Sequence, residues 1–116
     1  MHKTATFVLF GYNPTMLRIE FHCHTRYSKD SLASLERLVK ACHRKGIDRV
    51  VVTDHNSIAG ARAAQELDPE LVIVGEEIKT TRGEILAAFI TEEVPAGLSS
   101  PHNLAKNIPI RIVTSV

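Results

Sequence analysis

The run Leu17-Arg18-Ile19-Glu20-Phe21-His22-Cys23-His24-Thr25 ends in two histidines with one residue between them. In an extended strand alternate side chains share a face, so this spacing aims both imidazoles at one point, with Glu20 behind them on the same face. Neutral imidazole is the commonest protein ligand for zinc and a good one for iron or manganese, which makes the pair half of a metal site. Six histidines in 116 residues bring two of them to this spacing by chance often enough that the pair needs support from elsewhere. That support comes from Thr53-Asp54-His55-Asn56 and Gly75-Glu76-Glu77-Ile78, which place further ligand-type side chains after two later apolar runs.

His22, His24 and His55, with carboxylates from Glu77 and Asp30, make a mixed nitrogen and oxygen donor set. Such a set suits zinc, manganese or iron better than calcium, which prefers oxygen alone, and it is not a sulfur site. A divalent metal lowers the pKa of a bound water and neutralises charge on a phosphoryl oxygen, so the implied reaction is hydrolysis, with phosphate esters the favoured substrates. Asp54 is a candidate to orient a ligating imidazole without binding metal itself. Of Glu76 and Glu77, alternation lets only one face the site, and the other is expected in solvent. Thr25, Arg26 and Lys29, in the loop after the histidine pair, are the candidates to meet phosphate; Arg26 joins Asp54 as a candidate catalytic group.

These residues need a scaffold, and the apolar pattern describes one. Ser34 is a plausible N-cap for a helix carrying Leu35, Leu38, Val39 and Cys42 on one face, with Gly46 just past its end. His43 falls off that stripe and is read as a solvated helix-end residue. The β-branched run Arg49 to Thr53 has the pattern of a strand buried on both faces. Ser57 can cap a second, alanine-rich helix that Asp68-Pro69 stops, and Leu71 to Val74 is the next strand. Strand, helix, strand, helix, strand implies right-handed parallel crossovers, whose carboxyl edge is where α/β proteins build their sites. Arg82-Gly83 then turns the chain into an antiparallel strand from Glu84 to Ile90, and Ile110 to Thr114 is a last strand after a short helix around 102–106. Residues Met1 to Pro14, β-prone around Phe7 to Phe10 and turn-prone from Gly11 to Pro14, are either an added edge strand or a loosely held extension.

Composition bounds the rest. A chain of 116 residues, 44% hydrophobic, supports one domain. Fourteen basic against thirteen acidic residues leave a net charge of +1, which gives no support to nucleic-acid or anionic-membrane binding. No run approaches the ~20 apolar residues of a membrane span. The apolar stretch from Thr4 to Phe10 is short, with Gly11 and Pro14 just after it, and is read as no signal peptide. Cys23 and Cys42 suggest neither a disulfide framework nor a zinc motif, which fits a reducing cytoplasm.

Together these stretches resemble the PHP (polymerase and histidinol phosphatase) domain, in its branch of predicted metal-dependent phosphoesterases. His22-Cys23-His24-Thr25 followed by Ser28 and an acid, Thr53-Asp54-His55-Asn56, and Gly75-Glu76-Glu77-Ile78 are similar in order and spacing to the first three motifs of that family, from about Arg18 to Leu98. The resemblance implies a distorted β/α barrel and metal ligands at His22, His24, His55 and Glu77. Asp30 would be the loop acid, offset by one residue from the commoner form. Glu84 stands where family members often carry a further histidine, so either oxygen replaces nitrogen there or that metal position is weakened. The remaining family ligands come from a C-terminal half, and His102 arrives too early to be one of them.

A complete eight-stranded barrel takes ~250 residues. The expectation is therefore an α/β fold with a partial TIM-like barrel, mostly parallel and not closed. It divides into an extension over 1–16, the N-terminal part of a PHP-like domain over 17–100, and an atypical tail over 101–116. Its activity would be reduced or would depend on self-association or a partner chain completing the barrel. A non-catalytic interaction or metal-binding module is the alternative, and C–N hydrolysis a weaker third reading.

Overall fold

Val50, Val51 and Val52 are all buried, and the strand they form is the middle of the molecule. The computed structural model describes residues 4–9, 15–27, 32–95, 97 and 112–115. In chain order the elements are β1 (Thr4–Leu9), β2 (Thr15–Cys23), α1 (Leu32–Arg44), β3 (Arg49–Val52), α2 (Ala59–Leu67), β4 (Val72–Thr80), β5 (Gly83–Ala88) and β6 (Ile112–Ser115). They form one six-stranded sheet in sequence order. Its centre, β2-β3-β4, is parallel with the two helices as crossovers, while β1, β5 and β6 are added antiparallel at the flanks. This is the expected α/β architecture, an open half-barrel; β1 and β6 are the outer strands, and the sheet does not close among the described residues.

The first strand settles the reading of the leading segment: residues 4–9 pair with β2 from Thr4 opposite Glu20 to Leu9 opposite Thr15. Both expected helices form, with different starts. α1 begins at Leu32, so Ser34 lies inside its first turn and is not the N-cap. Its end follows the sequence reading. Gly46 takes a left-handed φ of 71°, its N–H reaches the His43 carbonyl, and the Ile47 N–H reaches back to Cys42, the paired bonds of a Schellman stop. α2 is capped at Ile58, and the Ser57 hydroxyl instead accepts the Ala59 N–H from one residue further out. Leu35, Cys42 and Ile47 from the α1 region join Ala61 and Ala64 of α2 and Val50, Val52, Val72 and Ile78 of the sheet in one apolar core. Alanines on the inner face of α2 let the helix lie close against β3 and β4.

β4 runs longer than the apolar run Leu71 to Val74 because two strands share it. Val72 to Val74 pair parallel with β3, and Gly75 to Thr80 pair antiparallel with β5. Gly75 sits at the changeover. A Cβ there would lie 2.5 Å from the Ala87 carbonyl and 2.8 Å from Val51 Cγ1, so only glycine lets the three strands meet. The short helix expected around 102–106 lies outside the described residues.

Candidate metal centre

One correction to the sequence reading begins in β2. Ile19 and Glu20 pair with Arg49 and Val50, but the next partner of β3 residue Val52 is Cys23, so β2 carries an extra residue between Glu20 and Cys23. Such a bulge breaks alternation and re-aims the side chains beyond it. Glu20 therefore does not stand behind the histidines; it lines a groove under α1 with Arg18, Leu38 and Cys42. Cys23 turns into the core, where burial pushes its thiol up to about 12. His22 and His24 both turn to the other side. His22 is buried, His24 keeps 30% of its side chain exposed, and their rings meet edge to face with centroids 4.9 Å apart.

Glu77 is the hub. Its backbone is held from both sides: its N–H donates to the Asp54 carbonyl and its carbonyl accepts the Asn56 N–H, extending the β3–β4 pairing, and across β5 it faces Leu86. Its buried carboxylate divides between two groups. Oε1 lies 2.5 Å from His22 Nε2 and 3.1 Å from His24 Nε2, and those two nitrogens are 3.0 Å apart. Oε2 lies 3.1 Å from His55 Nδ1. His55 is 56% exposed and packs its ring against His24 at 4.6 Å between centroids.

Glu84 reaches the same rim through hairpin register. It pairs with Lys79, two residues on from Glu77 and so on the same strand face. Its Oε2 comes to 3.8 Å from His55 Nδ1. Two donor groups follow, His22, His24 and Glu77, and His55, Glu77 and Glu84; within each, one ligand atom per residue lies within 4.8 Å of the others. The convergence fits a divalent metal. Two imidazole nitrogens and a carboxylate oxygen at 2.5–3.1 Å bring lone pairs together that only a proton or a cation relieves.

Glu76 corrects a second expectation. Alternation does send it to the opposite face, yet it is fully buried there, not solvated. Its Oε1 accepts the Val94 N–H at 2.9 Å, and burial pushes its carboxyl up to about 7. The loop that supplies Val94 is tied down again by Glu93, which accepts the Ile58 N–H at the start of α2, and by Arg62, which donates to the Thr91 carbonyl.

Among the described residues, Asp54 bonds Thr25 and no imidazole. One carboxylate oxygen accepts the Thr25 N–H and the other the Thr25 hydroxyl, each at 2.5 Å, which clamps the chain just after His24 to the strand end before His55. Thr25 thereby spends its own polar groups on Asp54. A recess of about 340 Å³ opens beside half-buried His24 and exposed His55, lined also by Thr25, Arg26, Asp54 and Gly60 among others, with Arg26 exposed at its side. Lys29 and Asp30 lie outside the described residues. His43 stays at the surface, bonded to Asp68 at 2.6 Å.

Two residues that hold the site were not singled out from sequence. Asn56 adopts a left-handed φ of 51° and its side-chain oxygen accepts the Lys79 N–H at 3.0 Å; asparagine directly after a strand-end histidine is the signal that could have found it. Gly60 passes under the Thr25–Asp54 pair so closely that any Cβ would overlap it, and no local pattern announces that.

A family model for the PHP domain matches residues 20–98. This chain belongs to the PHP domain family. The PHP match contains both donor groups, and the family is one of metal-dependent phosphoesterases. Two uncharacterized proteins of Methanocaldococcus jannaschii are similar to it, one 35% identical over 103 residues, covering 78% of this chain and 60% of that protein. The other is 37% identical over 82 residues, covering 71% of this chain and 31% of its relative. The PHP chain thus spans from under a third to three fifths of the length of these curated relatives. No solved structure matches it. No helix among the described residues is long and apolar enough to cross a membrane.

Proposed function

We propose that this chain is the N-terminal part of a PHP-type metal-dependent phosphoesterase that hydrolyses small phosphorylated substrates. Zinc, manganese or iron would be held by His22, His24, His55, Glu77 and Glu84, with Asp30 as a further donor from the loop. The observation that carries the reading is Glu77, whose two carboxylate oxygens face two separate sets of imidazoles. A metal bound there supplies an acidified water and neutralises charge on a phosphoryl oxygen.

The chain's own groups do the positioning. The β2 bulge and the β3–β4 bonds fix the histidines and Glu77 before any substrate arrives, so little reorganisation is needed on binding. Asp54 holds Thr25 and with it the wall of the recess. Arg26 stands at that wall, where its guanidinium can meet phosphoryl oxygens in bidentate fashion. Turnover by the chain alone is reduced or depends on self-association or a partner chain that completes the barrel; Phe89, 46% exposed, is an apolar side chain such a contact would cover. A net charge of +1 gives no support to nucleic acid as the partner, and two free buried cysteines support a reducing, cytoplasmic setting.

The test is metal content and turnover of a chromogenic aryl phosphate in the wild type and in a His22→Ala, His24→Ala double variant. Stoichiometric metal that falls sharply in the variant is expected. Unchanged metal content in the variant refutes the assignment.

A further inference from the structure

We propose that the two halves of this site differ in metal preference, and that Glu84 makes the second half a position for manganese where the first half takes zinc. The proposal rests on the metal-binding reading above and concerns what each half selects.

The first half offers two imidazole nitrogens and one carboxylate oxygen, from His22, His24 and Glu77. Two of its three side chains are buried, and its nitrogens and oxygen are packed within 3.1 Å of one another. That is a nitrogen-rich, enclosed set of the kind that holds four-coordinate zinc. The second half reverses the ratio, with one imidazole nitrogen from His55 and two carboxylates from Glu77 and Glu84. It is also open: His55 is 56% and Glu84 36% exposed, leaving room for the waters that complete an octahedral shell. Oxygen donors, two negative charges and free coordination positions favour the harder ion.

Zinc exceeds manganese in raw affinity at almost any site of nitrogen and oxygen donors, so selectivity is relative and depends on ligand type and metal supply. Replacing an imidazole by Glu84 takes away the donor that favours zinc most and adds the one that costs manganese least. Glu77 spans both halves, one oxygen to each, so the two positions can fill side by side with different ions.

The experiment uses the full chain, stripped by chelator and then dialysed against excess manganese with rising zinc. Bound metal is read by elemental analysis and bound manganese by its electron paramagnetic resonance. In the wild type one zinc enters early, while manganese persists at the second position until zinc rises well above the level that fills the first. In Glu84→His the two positions take zinc together and the manganese signal is lost at the first increment. In Glu84→Ala the chain keeps one zinc and no manganese. Glu84 is half-exposed on a strand, so these variants keep the fold, and the wild-type titration is decisive even without them. Manganese leaving the wild type together with entry of the first zinc overturns the selectivity proposal. A wild type that binds neither ion overturns the metal-site reading beneath it.

Discussion

Replacing Gly60 by alanine sets two effects of opposite sign against each other. In a helix, alanine is favoured over glycine by at most about 1 kcal/mol, so a helix-only argument predicts a more stable protein. The tertiary contacts predict the reverse. A Cβ at Gly60 would stand 2.5 Å from Asp54 Oδ2 and 3.0 Å from Tyr27 Cβ, and would overlap the Thr25 hydroxyl. The Thr25 hydroxyl and Asp54 must move apart, which gives up a hydrogen bond to a charged acceptor worth about 1.5–3 kcal/mol. The expected outcome is a net loss of about 0.5–2 kcal/mol, read as a lower midpoint in urea with an unchanged slope. Thr25 follows His24 directly, so metal affinity falls as well. Made in a Thr25→Ala background, the same substitution costs less, because one of the two overlapping groups is already gone; contacting residues couple in this way by about 0.5–3 kcal/mol. Stabilisation by Gly60→Ala in the wild-type background would refute the close packing of α2 beneath the Thr25–Asp54 clamp.

Asn56→Ala should lose about 1–3 kcal/mol, from left-handed backbone strain together with the lost bond to the Lys79 N–H. Asn56→Gly should recover the backbone share, and chemical denaturation of both variants separates the two causes. The pairing of Asp68 with His43 predicts a pH effect: the hydrogen bond from His43 holds the Asp68 carboxyl below its usual range. A depressed carboxylate contributes stability that is fully present above its unfolded pKa near 3.9 and is lost as pH falls through the lower folded value. Asp68→Asn should therefore lower the melting temperature at neutrality and flatten the acid limb below about pH 4, so that the two profiles converge in acid; an unchanged acid limb would remove the pair from the account.

Much of this protein could be read in one dimension because the relevant signals are local. Apolar residues at helical spacing marked α1 and α2, β-branched runs marked β3 and the start of β4, and Gly46 marked the end of the first helix. The alternation of these elements implied parallel crossovers, and with them a shared carboxyl edge for His22, His24, His55 and the Glu76-Glu77 pair. The similarity of three motifs to the PHP domain required nothing beyond residue order.

What remained depended on register, and register is set by partners distant in the chain. The extra residue in β2 exists only relative to β3, so alternation alone put Glu20 on the wrong face. Glu76 is buried because the loop carrying Val94 folds over it, a contact invisible from two adjacent glutamates. Glu84 joins the site because the turn after Thr80 sets it opposite Lys79; one residue more or less in that turn would face it away. The identities of the candidate donors were thus written in the chain, whereas their grouping around Glu77 came from strand pairing, which fixes side-chain direction only after the sheet has formed.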